Sequence, residues 1–345
     1  MLIGIIGAGI AGLTAGRQLA RHGHEVIVLE KSRGYGGRLS TRYSGPEQNI
    51  KVDHGTGYLS GKSTTFNSFL DELKSEGLIK EWGDSLSLFN EDGFSEVHPS
   101  KERQTMYVAT NGMNSIGKYL SRMLDFRLNQ QVSGITVVSQ GQLKKRPWIV
   151  NFLDTSVIEL DALIVATPSI QALGLLHTAQ DELAIRYLNA LLAKVQYEST
   201  ISLMVGYGKR EVPTWNGIVC QNDIVKWISN ENSKRDLDEL TLVVQSTHEF
   251  AHDHQKSGTD EISALMLQEI SKITGPWVLN PEWKQSHLWR YNRCINPLDA
   301  HYLESNDAMA PLALIGDYFK GNTAESAYLS GLALAEHWLN KYPHP

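Results

Sequence analysis

Three glycines near the start of the chain have the spacing of a phosphate-binding turn. Gly7, Gly9 and Gly12 form a G-x-G-x-x-G pattern after an apolar run at residues 2–6, which reads as a buried strand. The first glycine permits the tight bend, the second lets a pyrophosphate approach the backbone, and the third lets the following helix pack on the strand. Ile10 and Ala11 then lie in the first helical turn, whose free N–H groups and dipole attract phosphate oxygens. The pattern predicts a dinucleotide-binding segment.

A carboxylate follows these glycines at the distance that a dinucleotide site needs. Residues 25–29 read as a second apolar strand, and Glu30 comes directly after it, roughly 20 residues beyond the turn. There its carboxylate can accept hydrogen bonds from a ribose hydroxyl. A glycine turn between a strand and a helix can be purely structural, but the strand, the turn and the acid together favour a binding site.

A basic, glycine-rich loop comes next, at residues 31–38. Lys31, Arg33 and Arg38 supply positive charge, and Gly37 helps the chain to wrap around the far side of a pyrophosphate. Simple nicotinamide-binding units do not need this second wrap, so the loop favours FAD. The alternative interpretation is a flexible basic loop without a ligand.

The far end of the chain supports the same cofactor. Residues 312–315 form an apolar run, Gly316 and Asp317 follow it, and a helical pattern begins at Glu325 and continues to about residue 340. A carboxylate at the tip of a strand can hold the ribityl chain, and the helix N-terminus can stabilise negative charge on the flavin ring. A terminal strand and helix that only close the sheet are the alternative, and the two roles are compatible. The candidate contacts here are Gly316, Asp317, Glu325, Ser326 and Ala327.

The elements that position these groups predict an α/β fold with two domains. Residues 1–58, 101–168 and 310–345 are expected to form a discontinuous FAD-binding domain with a Rossmann-like fold. Residues 59–100 and 169–309 are expected to form an α+β substrate domain with a mostly antiparallel sheet, which covers the flavin face.

One strand of the second domain carries candidate substrate-binding residues. Between residues 286 and 293, the side chains of His287, Trp289 and Arg293 fall on one face of a strand. This face would suit a flat, polar and charged ligand. The alternative is an ordinary amphipathic strand, whose aromatic residues belong to the core and whose arginine is solvated.

Composition limits the partners. The 345 residues carry a net charge of −6, which does not favour nucleic acid. The two cysteines lie outside any C-x-x-C pattern, which indicates a reducing cytoplasm. No apolar run is long enough to span a membrane. The sequence does not define the oligomeric state. A cluster of histidines at residues 248–254 is expected to be solvated, so no metal is predicted.

The motifs together resemble the flavin-containing amine oxidase superfamily and, more narrowly, the bacterial renalases. The narrower resemblance is carried by residues 31–38, by Val52-Asp53-x-Gly55-x-x-Tyr58, by residues 111–116 and by His287-Leu288-Trp289. It implies non-covalent FAD, with Gly55 and Val132 among its contacts. Cysteine and histidine are both absent from residues 312–330, where a covalent link would be needed.

The resemblance also implies an activity. Renalase-like enzymes oxidise dihydropyridine isomers of NAD(P)H, and dioxygen then takes the electrons to give hydrogen peroxide. Such a donor needs no essential base. Tyr58 and Trp289 are the expected walls or orienting groups, while His287 and Arg293 are expected to meet a carboxamide or a phosphate.

Two departures from related patterns bear on the substrate. Gly57 stands where the renalase pattern has glutamine, and Thr323 stands where amine oxidases carry an aromatic residue that walls an amine cage. The second departure disfavours primary amines. An amine oxidase or desaturase remains an alternative, which a lysine near the flavin and a paired aromatic cage would favour. A non-catalytic flavin-binding redox protein is the other alternative.

Overall fold

The chain divides into two units, and each is built from segments that are separated in the sequence. The computed structural model describes residues 1–83, 86–91, 93–96, 104–138, 146–179, 183–306 and 310–343. Unit 1 comprises Met1–Gly37, Ile116–Tyr197 and Arg293–Pro345, and unit 2 comprises Arg38–Ser115 and Glu198–Asn292.

The secondary structure follows the predicted pattern closely at both ends of the chain. The strands are β1 (Leu2–Ile6), β2 (Glu25–Leu29), β3 (Thr41–Ser44), β4 (Ile50–Asp53), β5 (Ile79–Glu81), β6 (Leu86–Asn90), β7 (Gly93–Glu96), β8 (Tyr107–Ala109), β9 (Asp125–Arg127), β10 (Val132–Val137), β11 (Trp148–Phe152), β12 (Val157–Leu160), β13 (Ala162–Val165), β14 (Tyr197–Gly206), β15 (Gly217–Cys220), β16 (Val225–Asn230), β17 (Thr241–Ser246), β18 (Trp283–Cys294), β19 (Leu303–Glu304) and β20 (Leu312–Leu314). The α-helices are α1 (Ile10–Arg21), α2 (Thr64–Ser75), α3 (Asn114–Leu120), α4 (Ser169–Leu176), α5 (Leu183–Leu192), α6 (His248–Asp253), α7 (Thr259–Thr274) and α8 (Ala324–Lys341).

Unit 1 contains a six-stranded sheet with the order β19-β20-β13-β1-β2-β9. Strands β20, β13, β1, β2 and β9 are parallel, and β19 is antiparallel to β20. Strands β1 and β13 have no exposed residue, as strands covered on both faces require. Because the carboxyl ends of parallel strands meet at one edge, this edge collects the residues that follow them, namely Gly7, Glu30, Thr167 and Asp317.

Helices α1 and α8 of unit 1 approach each other through a glycine. A Cβ atom added at Gly331 in α8 would lie 2.2 Å from the carbonyl oxygen of Ala11 in α1. A real side chain would therefore force the two helices apart. The close packing fixes the position of the N-terminal turn of α1, which carries the glycine pattern.

Unit 2 contains a seven-stranded sheet with the order β18-β14-β17-β16-β15-β6-β7. Neighbouring strands from β14 to β7 are antiparallel, apart from the parallel pair β15–β6. Helix α7 buries Ile262, Met266 and Ile270 in one apolar cluster with Leu203 and Val205 of β14. Two-stranded ladders, β3–β4 and β5–β8, complete the described strands of this unit. The predicted fold class is confirmed.

The unit boundaries differ from the predicted ones. Residues 38–58 and 101–115 were expected in the FAD-binding domain, but the structure places Arg38–Ser115 in unit 2. The reason is the β3–β4 ladder, which is tied to unit 2 through a buried ion pair between Asp53 and Arg235. The predicted boundaries between residues 100 and 101 and at residue 309 lie outside the described residues.

The opposite correction applies to residues 169–197 and 293–309, which were expected in the substrate domain. Residues 169–197 belong to unit 1 because α4 and α5 bury apolar side chains, such as Leu176 and Leu188, in one cluster with the sheet residues Leu163 and Val165. The segment from residue 293 belongs there because β19 adds to the edge of the same sheet. Among the described residues, no helix combines the length and the apolar character needed to cross a bilayer.

Candidate active site

The turn between β1 and α1 has the geometry that the glycine pattern predicted. Gly7 has a φ of +109°, which is a conformation that favours glycine. Gly9 precedes the first residue of α1, and a Cβ atom added there would meet nothing within 4 Å. A Cβ atom at Gly12 would lie 2.3 Å from the carbonyl oxygen of Gly7. The backbone therefore packs tightly between Gly7 and Gly12, whereas the space beside Gly9 is open. Ile10 and Ala11 begin the helix directly after Gly9.

Glu30 organises the edge of the unit 1 sheet. Its side chain is buried, with 9% of its surface exposed. One carboxylate oxygen accepts a 2.8 Å hydrogen bond from the backbone N–H of Ala8, and the other accepts a 2.8 Å hydrogen bond from Ser32. Because each carboxylate oxygen has a second lone pair, the group can still accept from ribose hydroxyls.

The basic loop folds back onto the glycine turn within unit 1. The backbone N–H of Gly36 donates to the carbonyl oxygen of Ala8 at 2.8 Å, and Gly36 forms a parallel bridge with Gly9. A Cβ atom at Gly37 would lie 3.2 Å from the Cα atom of Gly9. Lys31 and Arg33 are exposed, so their charges are accessible to a ligand.

The end of β20 places the second predicted carboxylate at the same edge. Asp317 is 4% exposed, and the backbone N–H of the preceding Gly316 donates to the hydroxyl of Ser330 at 3.1 Å. Helix α8 starts one residue earlier than predicted, at Ala324, because Thr323 and Ser326 form a capping box.

Three of the predicted cofactor contacts lie at the start of α8, and they differ in burial and in hydrogen bonding. Ser326 is buried, and its hydroxyl donates to the carbonyl oxygen of Asp317 at 3.2 Å, so it links the helix to the strand end. Ala327 is buried, whereas Glu325 is partly exposed. Val132, at the start of β10, packs against the apolar core of unit 1. The cofactor contacts of these four residues stay predictions.

A buried hydroxyl shows that the edge is suited to a dinucleotide. Thr167 follows β13, and its Oγ1 atom has no hydrogen-bond partner among the described residues. Its methyl group lies 3.4 Å from a Cβ atom added at Gly7, so the hydroxyl belongs to the glycine turn. A buried polar atom without an internal partner is expected where a ligand completes the hydrogen bonding. The open backbone, the two carboxylates and this hydroxyl fit FAD.

In unit 2, the predicted residues Arg38 and Gly55 are adjacent. The Arg38 guanidinium donates to the carbonyl oxygens of Tyr291 at 3.3 Å and Asn292 at 2.9 Å. A Cβ atom at Gly55 would lie 2.1 Å from the carbonyl oxygen of Arg38 and 3.3 Å from the ring of Trp289. Only glycine allows this approach, which explains its place in the motif.

Three rings of unit 2 form a continuous aromatic cluster. The centroid of His287 lies 4.5 Å from that of Trp289, and the centroid of His54 lies 5.1 Å from His287 and 5.2 Å from Trp289. The carbonyl oxygen of His54 accepts from Trp289 Nε1 at 2.9 Å and from Ser202 Oγ at 2.7 Å. His287 and Trp289 are therefore together as predicted, whereas His54 was missed. The only signal for His54 was its place between Asp53 and Gly55 in the resembling motif.

The two imidazoles of this cluster are neutral near pH 7. Burial, assisted by the charge of Arg42, lowers the pKa of His54 to about 3. The same two causes lower the pKa of His287 to about 4. Arg42 Nη2 lies 3.4 Å from His287 Nδ1, and burial lowers the pKa of Arg42 as well. The result is one fixed positive charge beside two uncharged rings.

The other two predicted substrate residues are placed differently. Tyr58 belongs to a second aromatic group, with its ring centroid 5.9 Å from Trp82 and 6.0 Å from Trp227. The Nζ atom of Lys234 lies 5.4 Å from the centroid of the Trp82 ring. Arg293 is exposed and belongs to unit 1, so its predicted role rests on strand alternation alone.

A buried ion network supports the segment that carries His54. Arg235 donates to both Asp53 and Glu231, and Lys234 Nζ lies 2.5 Å from Glu231 Oε1. Asp53 also accepts from the hydroxyl of Thr41 at 2.7 Å and from the backbone N–H of Met113 at 2.9 Å. The charges of the four ionised groups balance. Sequence reasoning missed this network because Asp53 lies 182 positions from Arg235, although Glu231, Lys234 and Arg235 are close together in the sequence.

No described group of three or more histidine, cysteine, aspartate or glutamate side chains could hold a metal ion. Of the predicted solvated histidines, His248 Nδ1 accepts from the backbone N–H of Ser199 at 2.9 Å. His252 is exposed and lies 3.2 Å from Asp253. These contacts account for both rings without a metal.

Comparison with solved structures agrees with this architecture. A putative protoporphyrinogen oxidase from Exiguobacterium sp. 255-15 superposes with a TM-score of 0.72 at 13% identity, covering 99% of each chain. Cyclohexylamine oxidase from Brevibacterium oxydans IH-35A superposes with a TM-score of 0.74 at 13% identity, also covering 99% of each chain. At this identity the likeness shows the fold.

Comparison with protein families and curated proteins defines the relationship. An L-amino acid oxidase of Cerastes cerastes is 60% identical over 37 residues, which are 11% of this chain and 7% of the relative. The matched part is less than a fifth of the length of the curated relatives. The model of an NAD(P)-binding Rossmann-like domain matches residues 5–73, and that of the flavin containing amine oxidoreductases matches residues 91–338. The chain therefore belongs to the flavin-containing amine oxidoreductase family, and its cofactor is non-covalently held FAD.

Proposed function

We propose that the chain is a renalase-like oxidase that acts on dihydropyridines, namely isomers of NAD(P)H reduced at an unusual ring carbon. In the net reaction, one dihydropyridine, one dioxygen and one proton give NAD(P)⁺ and hydrogen peroxide. Bound FAD supplies the redox chemistry, because it accepts a hydride from the donor and passes two electrons to dioxygen. The residues of unit 1 described above would hold the dinucleotide.

The observation that carries the proposal is the three-ring cluster of His54, His287 and Trp289 with its neutral imidazoles. An enzyme that must remove a proton needs a base whose pKa lies near the working pH. His54 and His287 have pKa values of about 3 and about 4, so both are weak bases at neutral pH. A dihydropyridine is already an activated donor and requires only binding and orientation. The aromatic faces and N–H groups of this cluster supply both.

The second candidate function is amine oxidation. It is favoured by the family, and by the solved cyclohexylamine oxidase with a similar fold. The arrangement Tyr58–Trp82–Trp227 also offers aromatic faces to a ligand. Against it stands the charge of Arg42, which repels a protonated amine from the three-ring cluster. Thr323, which is the helix N-cap, provides no aromatic wall.

An anaerobic donor screen tests the proposal. The purified protein with FAD bound is mixed with borohydride-reduced NAD⁺, benzylamine or putrescine, and the visible flavin band is followed. We expect the flavin band to disappear rapidly with the borohydride-reduced dinucleotide and to persist with either amine. After admission of air, NAD⁺ and hydrogen peroxide should form in equal amounts. Bleaching by the amines alone would support the second function, and bleaching by no donor would support a non-catalytic redox protein.

Two variants connect the screen to the cluster. Trp289→Leu removes one ring of the cluster and should slow reduction by the dihydropyridine. Trp277→Leu is the matched control, because Trp277 is also partly buried in unit 2 but packs on Tyr207, outside the cluster. Equal slowing in both variants would contradict a role for the cluster in the reaction.

The location and the partners are part of the same proposal. Both cysteines are buried and neither forms a disulfide bond among the described residues, which supports a reducing compartment such as the cytoplasm. The net charge of −6 gives no support to a nucleic-acid partner or to an anionic membrane surface. Substrate and dioxygen are therefore the proposed partners.

A further inference from the structure

Arg42 is a partly buried cation that has no acidic partner among the described residues. It lies on β3, opposite Val52 of β4. Its guanidinium carries five N–H donors. In the described part of the chain it forms no ion pair with any carboxylate, and its side chain has one hydrogen-bond contact, with His287 Nδ1 at 3.4 Å. Because the guanidinium is partly removed from water and has N–H donors that no described carboxylate uses, it can bind an anion from solution.

The nearest acidic residue in the motif cannot supply that anion. Asp53 directly precedes His54, but its carboxylate is occupied by Arg235, by the hydroxyl of Thr41 and by the backbone N–H of Met113. The charge of Asp53 is therefore already balanced inside unit 2. Asp53 therefore does not balance the charge of Arg42, which remains available to a bound anion.

The rings beside Arg42 add hydrogen-bonding capacity. Because arginine can only donate, His287 Nδ1 is the acceptor in their contact, and the neutral ring must carry its proton on Nε2. This N–H group has no acceptor among the described residues. His54 packs against His287, is 3% exposed, and its Nδ1 atom is buried without a hydrogen-bond partner. A guanidinium and two incompletely bonded imidazoles thus lie together.

We propose that Arg42, His287 and His54 form an anion-binding subsite that takes a phosphate group of the substrate. The anionic character follows from the unpaired guanidinium, whereas the choice of a nucleotide phosphate rests on the proposed function. Guanidinium groups bind phosphate with paired, charge-assisted hydrogen bonds. A carboxylate shares this chemistry, so the two anions are separated by experiment. The subsite would make Arg42 a determinant of specificity for phosphorylated donors.

The first experiment measures binding without turnover. Inorganic pyrophosphate and acetate are titrated separately by calorimetry into the holoenzyme, whose own dinucleotide site is filled by FAD. The variants are Arg42→Gln, Arg42→Lys and the control Arg290→Gln, which removes an exposed arginine from β18. We expect Arg42→Gln to weaken pyrophosphate binding about ten- to hundredfold. Arg42→Lys should restore part of the affinity, and Arg290→Gln should have no effect.

The second experiment assigns the anion to the substrate. KM and kcat are compared for dihydropyridine isomers of nicotinamide mononucleotide and of nicotinamide riboside, which lacks the phosphate. We expect Arg42→Gln to raise KM for the mononucleotide by about the same factor. The rise in KM should be much smaller for the riboside, because this donor has no phosphate for Arg42 to bind. FAD content and unfolding temperature confirm that each variant is folded.

The outcomes separate this inference from the proposed function. Pyrophosphate binding that is absent, or that is unchanged in Arg42→Gln, overturns the subsite. Acetate binding of equal strength with the same dependence on Arg42 overturns the preference for phosphate, and an equal KM change for both donors overturns its assignment to the substrate. If no dihydropyridine is oxidised, the proposed function fails, while the pyrophosphate titration still decides whether the subsite exists.

Discussion

Trp289 contacts His54 in two ways, through a hydrogen bond to its main-chain carbonyl oxygen and through the packing of the two rings. The indole Nε1 atom of Trp289 donates a 2.9 Å hydrogen bond to the carbonyl oxygen of His54, and the ring centroids lie 5.2 Å apart. Strand β18 is thereby tied to the segment that follows β4. This link holds the three-ring cluster in one arrangement.

Trp289→Phe should keep an aromatic ring but lose this hydrogen bond. We expect a loss of about 1 kcal/mol in the free energy of unfolding, together with a higher KM for the donor. Trp277→Phe is a matched control, because Trp277 Nε1 also donates to a carbonyl oxygen, that of Thr274 at 2.7 Å. The control should lose similar stability in urea unfolding while its KM stays unchanged. A change of KM in both variants would point to a general structural effect.

The ion pair between Arg235 and Asp53 predicts a large effect on stability. Arg235→Met leaves Asp53 as an uncompensated buried charge, which should cost about 3–5 kcal/mol of unfolding free energy. Adding Asp53→Asn removes that charge and should restore part of the loss. Lys74→Met breaks an exposed pair with Glu81 and should cause no measurable change. Chemical unfolding of the four proteins provides the test, and equal losses from Arg235→Met and Lys74→Met would contradict it.

The low pKa values of His54 and His287 predict acid sensitivity. In the folded state these pKa values are about 3 and about 4, below the ordinary value of 6.5. Between these folded-state values and pH 6.5, the unfolded chain therefore binds more protons than the folded protein does. The contribution to stability is therefore complete above about pH 6.5 and is lost as the pH falls toward 4. His54→Gln should give a shallower decline of the urea midpoint over this range. His252→Gln, at an exposed position, should leave the wild-type slope.

Two glycine substitutions test the packing of unit 1. Gly331→Ala places a Cβ atom 2.2 Å from the carbonyl oxygen of Ala11, and the required shift should cost about 1–3 kcal/mol. Gly174→Ala in α4 meets nothing within 4 Å and should stabilise the protein by about 0.5–1 kcal/mol. Thermal unfolding distinguishes the two signs. A neutral Gly331→Ala would show that α1 and α8 are further apart.

Glu30→Gln tests the cofactor site. The amide keeps the shape of the side chain but removes the charge that accepts from Ala8 and Ser32. We expect FAD to be held at least about tenfold more weakly, as measured by the rise of flavin fluorescence on dilution. The control Glu25→Gln changes an exposed glutamate at the start of β2, the strand that precedes Glu30, and should retain FAD fully. Unchanged retention in Glu30→Gln would remove this carboxylate from the site.

The sequence alone determined the parts whose signals are local. Strands β1 and β2 begin and end at the predicted residues, and α8 starts within one residue of its prediction. These elements could be predicted because an apolar run, a glycine pattern and a helical periodicity each act over a few residues. The same reasoning found Glu30 and Asp317, since a carboxylate directly after a strand must lie at the edge of the sheet.

The tertiary structure decided the contacts between distant segments. Arg42 meets His287 across 245 positions, and Arg235 meets Asp53 across 182. No local pattern marks such pairs, because the packing of separate strands, and not the spacing of residues, brings them together. The same packing placed β3 and β4 in unit 2. The residue types in this chain therefore predicted which cofactor it binds, while the contact between Arg42 and His287, on which the proposed anion subsite depends, followed only from the folded arrangement.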